Sequence, residues 1–271
     1  MKNNIITGLL IGLLVLGFSS CEPILERDVL KNTTNVDGVT LEATQSTEGG
    51  NEITLAMTTP GVTGFWDYNL GRAFTDKVTI IYPIPGQATF TFEGTLGAEF
   101  FTKTIDVQID QLDARLDQDW YDLVSETTAT GKTWVLDGTG GDGRFWWFMS
   151  PPNAPDSWAT AWWNAGGTCC PPPDVDGKMT FDLDGAANYS YYSGPGATAE
   201  TGSFVLDVAN QTLQLNGVQL LGQIEGGGGD IGSASGLYEI IELTEDKMIL
   251  YTPWNSWSTG WTFVFVPETK K

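Results

Sequence analysis

The sequence of 271 residues contains no histidine. This absence excludes Ser-His and Cys-His catalytic pairs, histidine metal ligands and the usual proton shuttle at neutral pH. Cations are scarce as well, since 13 Lys and Arg stand against 34 Asp and Glu, for a net charge of -21. Without a cationic surface, nucleic acid is excluded as a partner, and repulsion between like charges argues against polyanionic glycans.

The chain also lacks an apolar run of the roughly 20 residues that a transmembrane helix needs, and it has only three cysteines. Apolar residues nevertheless make up 41% of it, and it contains 33 Gly and 11 Trp. This composition predicts a packed core and is typical neither of a disordered chain nor of a coiled coil. The length suits one large domain or two ordinary ones.

The N-terminus carries the features of a bacterial export signal. Lys2 is followed by an apolar run at residues 5–18, then by two serines and Cys21. A basic start, a short apolar stretch and small residues before a cleavage site define such signals. The position of Cys21 resembles the lipobox of bacterial lipoproteins, although Phe18 stands where Leu is usual. We expect residues 1–20 to be removed and Cys21 to be acylated; the alternative is ordinary secretion with a free Cys21.

A first β-rich block follows the signal. Residues 21–37 are polar and suit a tether between a membrane and a domain. From 38 to 110, apolar and polar residues alternate in short runs such as ITLAM at 53–57, separated by Gly, Pro and Asn turns. This spacing predicts an antiparallel sandwich of immunoglobulin size. Residues 111–130 are acidic and are interpreted as a linker, in which 112–123 can form one short helix.

A second and larger β-rich block covers residues 131–271. Its nine candidate strands are 133–136, 144–149, 178–183, 189–192, 202–208, 212–215, 238–243, 248–252 and 261–266. Hairpin-type turns such as Asp184-Gly185 and Asn216-Gly217 separate several of them. The pattern predicts a jelly-roll-like sandwich, with a lipocalin-like barrel as the alternative. The predicted fold class of the whole chain is all-β.

Tryptophan is concentrated in this second block, which holds nine of the 11. Trp261 shares a strand face with Phe263 and Phe265, and Trp134 begins an apolar strand, so both are predicted to lie in the core. Trp146 and Trp147 are neighbours in a strand and point to opposite faces. One of that pair therefore leaves the core.

Residues 150–177 form a segment rich in Pro, Gly and Ala with no strand periodicity. Long insertions of this kind in compact domains are usually functional. Asp156 can cap a short helix ending at Gly166, which would place two Trp side chains one helical turn apart. A second Trp-bearing loop lies at residues 253–260. The candidate ligand-binding residues are Trp146, Trp158, Trp162, Trp163, Trp254 and Trp257.

These indole rings have two interpretations. They can form a platform on which the apolar face of a pyranose ring stacks, while nearby Asp, Asn and Tyr side chains bond the sugar hydroxyls. The alternative is that they plug the end of the β-sandwich and have a structural role only.

Cys169 and Cys170 are adjacent and are the only thiols left if Cys21 is acylated. In an oxidising compartment they can form a disulfide between neighbours or remain two free thiols. A bridge would be strained, because adjacent Cα atoms lie ~3.8 Å apart, below the usual range for disulfides. Their spacing is not that of a CxxC zinc site.

The acidic residues give weak signals of chemistry. Two motifs are similar to half of a calcium loop, Asp174-x-Asp176-Gly and Asp182-x-Asp184-Gly. Neither has the downstream Glu of an EF-hand, so we interpret these aspartates as turn residues. No cofactor is predicted. A glycosidase needs two carboxylates beside the sugar. The E-x-D-x-(x)-E pattern of laminarinase-type jelly rolls is absent, and no catalytic residue is assigned.

Taken together, the chain resembles the surface glycan-binding lipoproteins of Bacteroidetes polysaccharide-utilisation loci, in the SusE/SusF-like position. The first block resembles a PKD/Ig-like spacer through GFWDYN at 64–69 and GQATFTF at 86–92. The second resembles the distal carbohydrate-binding domain through KTWVLD at 132–137, KMTFDLD at 178–184 and LTEDKMIL at 243–250. No binding residue of the family is carried over to this chain.

That resemblance implies display at the cell surface on the outer membrane, held in the lipid by acylated Cys21. It also implies non-catalytic binding of a glycan and its delivery to a SusC/SusD-like transporter complex. The acidic balance of the chain favours a neutral polysaccharide, with a laminarin-like β-1,3-glucan as first choice. The alternatives are a secreted lipoprotein glycoside hydrolase of unrecognised family and a structural or adhesion lipoprotein.

Overall fold

The computed structural model describes residues 35–138, 147–150, 163–166, 169–254 and 259–271. The predicted all-β class is confirmed, since these residues contain seventeen strands, one α-helix and two short 3-10 helices. The 3-10 helices are Val36–Gly38 and Glu268–Lys270, and the α-helix, α1, is Gln118–Val124. None of the helices in the described part of the chain is both long and apolar enough to span a bilayer.

Seven strands form an N-terminal sandwich. They are β1 (Leu41–Gln45), β2 (Glu52–Met57), β3 (Val62–Asp67), β4 (Arg72–Ala73), β5 (Lys77–Ile81), β6 (Gly86–Leu96) and β7 (Glu99–Ile109). One sheet has the order β1-β2-β5 and the other the order β4-β3-β6-β7. All neighbouring strands are antiparallel. The first block therefore folds as a two-sheet sandwich.

The core of the sandwich follows from strand alternation. Leu55 of β2, Trp66 of β3 and Phe92 of β6 are fully buried between the sheets, and the Trp66 and Phe92 rings meet edge to face at 5.2 Å. Gly64 and Gly94 pair directly across β3 and β6. A Cβ at Gly64 would stand 2.7 Å from the Phe92 ring, so glycine leaves the space that this ring fills.

The linker is tied to the sandwich and then covers part of the second block. Asn51 is fully buried and its side chain both donates to the Ala114 carbonyl (3.0 Å) and accepts from the Ala114 N–H (2.8 Å). Helix α1 follows and buries Trp120, Leu123 and Val124. It is shorter than the expected helix at 112–123 and begins six residues later. The segment is therefore a packed element as well as a connector.

Ten strands make up the second block. They are β8 (Lys132–Leu136), β9 (Trp147–Ser150), β10 (Trp163–Ala165), β11 (Lys178–Asp182), β12 (Asn188–Tyr192), β13 (Glu200–Asp207), β14 (Thr212–Asn216), β15 (Leu237–Thr244), β16 (Lys247–Trp254) and β17 (Thr259–Pro267). Each of the nine predicted strands overlaps one of them. β10 is additional.

These strands close into an eight-stranded barrel, so the jelly-roll prediction is wrong and the alternative architecture is observed. From β11 to β17 each strand pairs with the next along the chain, and β8 pairs with both β11 and β17. β9 and β10 extend the sheet from β17. A jelly roll needs long crossovers between its two sheets, whereas short hairpin connections keep successive strands adjacent. Alternation along single strands is the same in both folds and does not discriminate between them.

Side chains fill the barrel interior. Six of the largest, all less than 2% exposed, are Trp134, Phe181, Tyr189, Phe204, Tyr238 and Phe263. Helix α1 closes one end, where its Trp120 ring lies 6.1 Å from that of Phe204 and the Trp134 Nε1–H donates to the Leu123 carbonyl at 3.0 Å. The interior is thus a packed core with aromatic rings in contact at the helix-covered end.

The sandwich lies against this helix-covered end. A cleft of about 400 Å³ is lined by Tyr68 and Leu70 of the sandwich, by Asp207 at the end of β13 and by Asn210 of the β13–β14 turn. The first described residues lie beside the middle of β7, where the Lys103 ammonium donates to the carbonyls of Asp37 (2.9 Å) and Val39 (2.8 Å). The far end of the barrel, opposite helix α1, therefore faces away from the sandwich.

Candidate functional site

The far end of the barrel is covered by the long connection between β14 and β15. Leu220, Leu221 and Ile231 of this connection are buried in the hydrophobic core. An acidic residue of the loop holds its backbone in place: the Glu225 carboxylate accepts from the N–H groups of Gly227 (2.9 Å) and Gly229 (3.2 Å). The role of this carboxylate is therefore to stabilise the loop conformation.

Strand register brings the strand ends that flank the two predicted Trp-bearing segments to this same end. Ser150, the last residue of β9, pairs with Gly260 of β17, and Trp254, the last residue of β16, pairs with Thr259. In β10, Trp163 pairs with Met149 of β9. The strands that flank residues 151–162 and 255–258 therefore end side by side.

The structure places some of the predicted site residues and not others. Trp163 lies in β10 and Trp254 at the end of β16. Trp146, Trp158, Trp162 and Trp257 lie outside the described residues, as does the acylation candidate Cys21. The expected helix ending at Gly166 is wrong, because β10 occupies residues 163–165 as an antiparallel partner of β9. A three-residue strand paired only on one side is too short to show a period of two, which is why the sequence did not reveal it.

The two tryptophans predicted to be structural are confirmed as core residues. Trp134 is 0% exposed and Trp261 is buried in the same hydrophobic cluster. The sorting of tryptophans by strand alternation therefore holds at both positions where the structure describes the side chain. For the other candidate tryptophans, both interpretations from the sequence, platform and plug, stay predictions.

A buried polar network, which the sequence analysis missed, supports the loops at this end. Asp174 is only 4% exposed, and its Oδ2 accepts from the Tyr191 hydroxyl (2.8 Å) and the Gly222 N–H (3.1 Å). The Gln219 amide donates to the Tyr191 oxygen at 2.9 Å, and the Tyr189 hydroxyl donates to the Gln219 carbonyl at 2.8 Å. The network joins the segment before β11 to the loop that covers the barrel.

Burial raises the pKa of the Asp174 carboxyl, and the hydrogen bonds from Gly222 and Tyr191 offset part of this shift. The carboxyl Oδ1 is also buried, and none of the described residues forms a hydrogen bond with it. Desolvation is the dominant cause because it penalises the charged form in a site that supplies donors to only one oxygen.

We expect Asp174→Asn to melt at a higher temperature than the wild type at pH 7. A raised pKa in the folded state means that folding favours the protonated carboxyl. This stabilisation is complete below the unfolded pKa, near 4, and is lost as the pH rises through the folded pKa. Asparagine keeps an oxygen that accepts from Tyr191 and Gly222 without carrying the charge.

Thermal melts of both proteins between pH 4 and pH 8 measure this effect, and the gap between them should shrink towards pH 4. Asp176→Asn is the matched control, because it removes the same charge from an exposed side chain two residues away. A gap that does not change with pH would show that Asp174 is not protonated preferentially in the fold.

Cys169 and Cys170 form a disulfide with their Cα atoms 3.7 Å apart. Cys170 has a positive φ of 57°. Its carbonyl and that of Pro171 face Gly226 of the covering loop, where a Cβ would stand 2.9 Å from the Pro171 oxygen. Glycine is therefore required for the close approach between the two loops.

Intact-mass measurement after alkylation without reductant should show no label on Cys169 or Cys170. Both are exposed, so free thiols would react readily. After reduction the same protocol should label both residues. Two labels before reduction would contradict the disulfide and leave the segment before β11 without its covalent constraint.

The acid-rich turns are accounted for by local structure. Asp182 Oδ1 accepts from the Asp184 N–H (3.1 Å) and from the Asn188 amide (2.7 Å), as turn-forming aspartates do. Within the described ranges, no group of three or more Asp, Glu or Cys side chains is close enough to hold a metal ion. Asp174, the start of the other calcium-like pattern, serves the buried network.

Comparison with known proteins adds no family to this picture. The sequence matches no protein-family model and shows no significant similarity to a curated protein.

Proposed function

We propose that this protein is a non-catalytic cell-surface binding protein for a neutral polysaccharide. It would hold a laminarin-like β-1,3-glucan by tryptophan stacking and deliver it to an outer-membrane uptake system of the SusC/SusD-like type. The observation that carries the proposal is the strand register at the far end of the barrel. There, Trp163, Trp254 and the flanks of two further Trp-bearing segments belong to neighbouring strands.

The arrangement of the two units supports a role in display. The first described residues lie beside the middle of β7, near Lys103, whereas β9 and β16 end at the end of the barrel that faces away from the sandwich. A tether at residues 21–37 and the sandwich together would hold the tryptophans away from the membrane. A lipid anchor on Cys21 is the attachment that this geometry suits.

The chemistry of the ligand follows from charge and ring type. Indole rings bind the apolar C–H face of a pyranose, and polar side chains bond the hydroxyl groups. A protein with a net charge of -21 repels uronates and sulfated sugars. A neutral glucan satisfies both conditions, with mannans as the next ligands to test.

Affinity electrophoresis of the full mature chain in gels containing laminarin tests the proposal. Retardation that increases with laminarin concentration, without release of reducing ends on overnight incubation, is the expected result. Release of reducing ends would instead identify a glycoside hydrolase. No retardation by laminarin, other neutral glucans or mannans would leave a structural or adhesion role.

We expect Cys21→Ala to move the protein from the membrane fraction to the medium. Several acyl chains at about 0.8 kcal/mol per buried CH₂ make attachment effectively permanent, so the loss should be nearly complete. Fractionation followed by immunoblotting measures it. A variant that stays with the membrane would show that another segment holds the protein there.

A further inference from the structure

The outer face of the four-stranded sheet of the sandwich carries an aromatic groove. Residues on this face alternate with the buried core residues of the same strands, Trp66 in β3 and Phe92 in β6. β3, β6 and β7 each contribute three residues to the lining of the groove, and two of each three belong to this outer face. The six residues are Thr63, Phe65, Glu93, Thr95, Phe100 and Thr102.

The aromatic rings here are solvent-exposed in a way that a core does not require. Phe100 is 89% exposed, and Phe74, whose ring lies 5.3 Å from that of Phe65, is 80% exposed. The groove between Phe65 and Phe100 has a volume of about 500 Å³. Contiguous exposed aromatic surface on a soluble domain commonly marks a binding site.

The floor of the groove is polar and follows the strand register. Phe65 pairs with Glu93 and Glu93 with Thr102, while Thr63 pairs with Thr95 and Thr95 with Phe100. The Thr63 and Thr95 hydroxyls are 3.0 Å apart. Since β6 lies between β3 and β7, and Phe100 is two residues from the row of Phe65, the two Phe positions are roughly 12 Å apart. One carboxylate and three hydroxyl groups thus lie between two aromatic walls.

We propose that this groove is a second carbohydrate-binding site, which takes pyranose units of a neutral glycan. Phe100 would stack on the apolar face of a sugar, and Glu93 and Thr102 would bond its hydroxyls. A sugar ring presents apolar and hydroxyl surfaces together, as this groove does. A protein partner is less suited, because charged residues such as Glu93 are depleted from the centre of protein interfaces.

The choice of a neutral glucan as ligand rests on the proposed function. The evidence for the groove comes from the sandwich alone and is independent of that function. The two sites lie at opposite ends of the molecule, since Phe100 is the second residue of β7, beside the β6–β7 turn, whereas the start of β6 lines a cleft with Ser203 of the barrel. A long polysaccharide reaching both sites, or both sites on neighbouring tethered copies, would be retained by avidity. Short oligosaccharides would bind each site separately.

Methyl NMR of the full mature chain, titrated with laminaritetraose, tests the proposal. The methyl groups of Thr63, Thr95 and Thr102 should shift, and Phe100→Ala should weaken the affinity read from them about threefold to tenfold. Phe100→Tyr keeps an aromatic ring and should restore it. Thr54 and Thr79 are the internal control, because their hydroxyls pair at 2.8 Å on the outer face of the other sheet.

The indole N–H signals separate this proposal from the proposed function. Threonine shifts without indole shifts would support the groove and contradict a tryptophan site. Indole shifts alone, or no shifts with laminaritetraose, cello- and mannotetraose, would overturn the groove. Sedimentation velocity completes the test by measuring whether the protein is a dimer. If it is, and if Phe100→Ala dissociates the dimer, this face is a self-association surface and the carbohydrate site is overturned.

Discussion

Trp134→Ala should lower the free energy of unfolding of the barrel by roughly 3–5 kcal/mol, the usual cost of emptying a large core site. Trp134 is completely buried, and its indole N–H also donates to the Leu123 carbonyl at 3.0 Å, which holds helix α1 over the end of the barrel. Removing the ring therefore leaves a cavity and an unpaired carbonyl together. Urea denaturation followed by circular dichroism measures the loss.

Trp134→Phe separates these two contributions. It keeps an aromatic ring and loses the donor to Leu123, so a smaller loss of about 1–3 kcal/mol is expected. Trp261→Ala should resemble Trp134→Ala, because Trp261 is buried in the same hydrophobic cluster. Alanine variants as stable as the wild type would mean that these rings are not part of the barrel core.

The second large effect is expected on glycan binding. Trp158→Ala, Trp162→Ala and Trp257→Ala should each weaken binding to laminarin about tenfold and leave the melting temperature nearly unchanged. Each stacked ring contributes on the order of 0.5–1.5 kcal/mol, so two or three rings place the wild-type affinity in the micromolar-to-millimolar range. Calorimetry and thermal melts on the same samples measure both quantities.

Ile81→Ala is the control for this series. Ile81 is an exposed apolar residue of the sandwich, so its removal changes neither the far end of the barrel nor the core. Variants of the three tryptophans that melt early and bind laminarin normally once folded would show that the rings are plugs. The platform interpretation would then be wrong, and the binding site would lie elsewhere.

Much of the fold was predictable because strand alternation is a local property. The run around Phe181 reveals a strand from five neighbouring residues, and the burial of Trp134 and Trp261 follows from the apolar residues beside them. β10 was not predictable, since three residues are too few to establish a period. The sequence also did not predict that Phe100 lines a groove. Phe100 is followed by Phe101 and Thr102 in a strand with ordinary alternation, and nothing in that pattern distinguishes it from other surface residues.

The candidate site was also predictable only in part. The concentration of tryptophan in the second block is visible in the composition, and it suggested a carbohydrate platform. That the two Trp-bearing segments have neighbouring flanks follows only from register, through the pairing of Ser150 with Gly260. The role of Asp174 was likewise hidden, because its partners Tyr191 and Gly222 follow it by 17 and 48 residues.

By itself, the sequence determined the all-β class, the places of most strands, the core tryptophans and the acidic surface, because hydrophobic period and charge are read over a few adjacent residues. The tertiary structure decided that the second block is a closed barrel. Closure depends on β17 meeting β8, as when Phe265 pairs with Leu136. These residues are far apart in the chain, and only the twist and stagger of all the intervening strands bring them together.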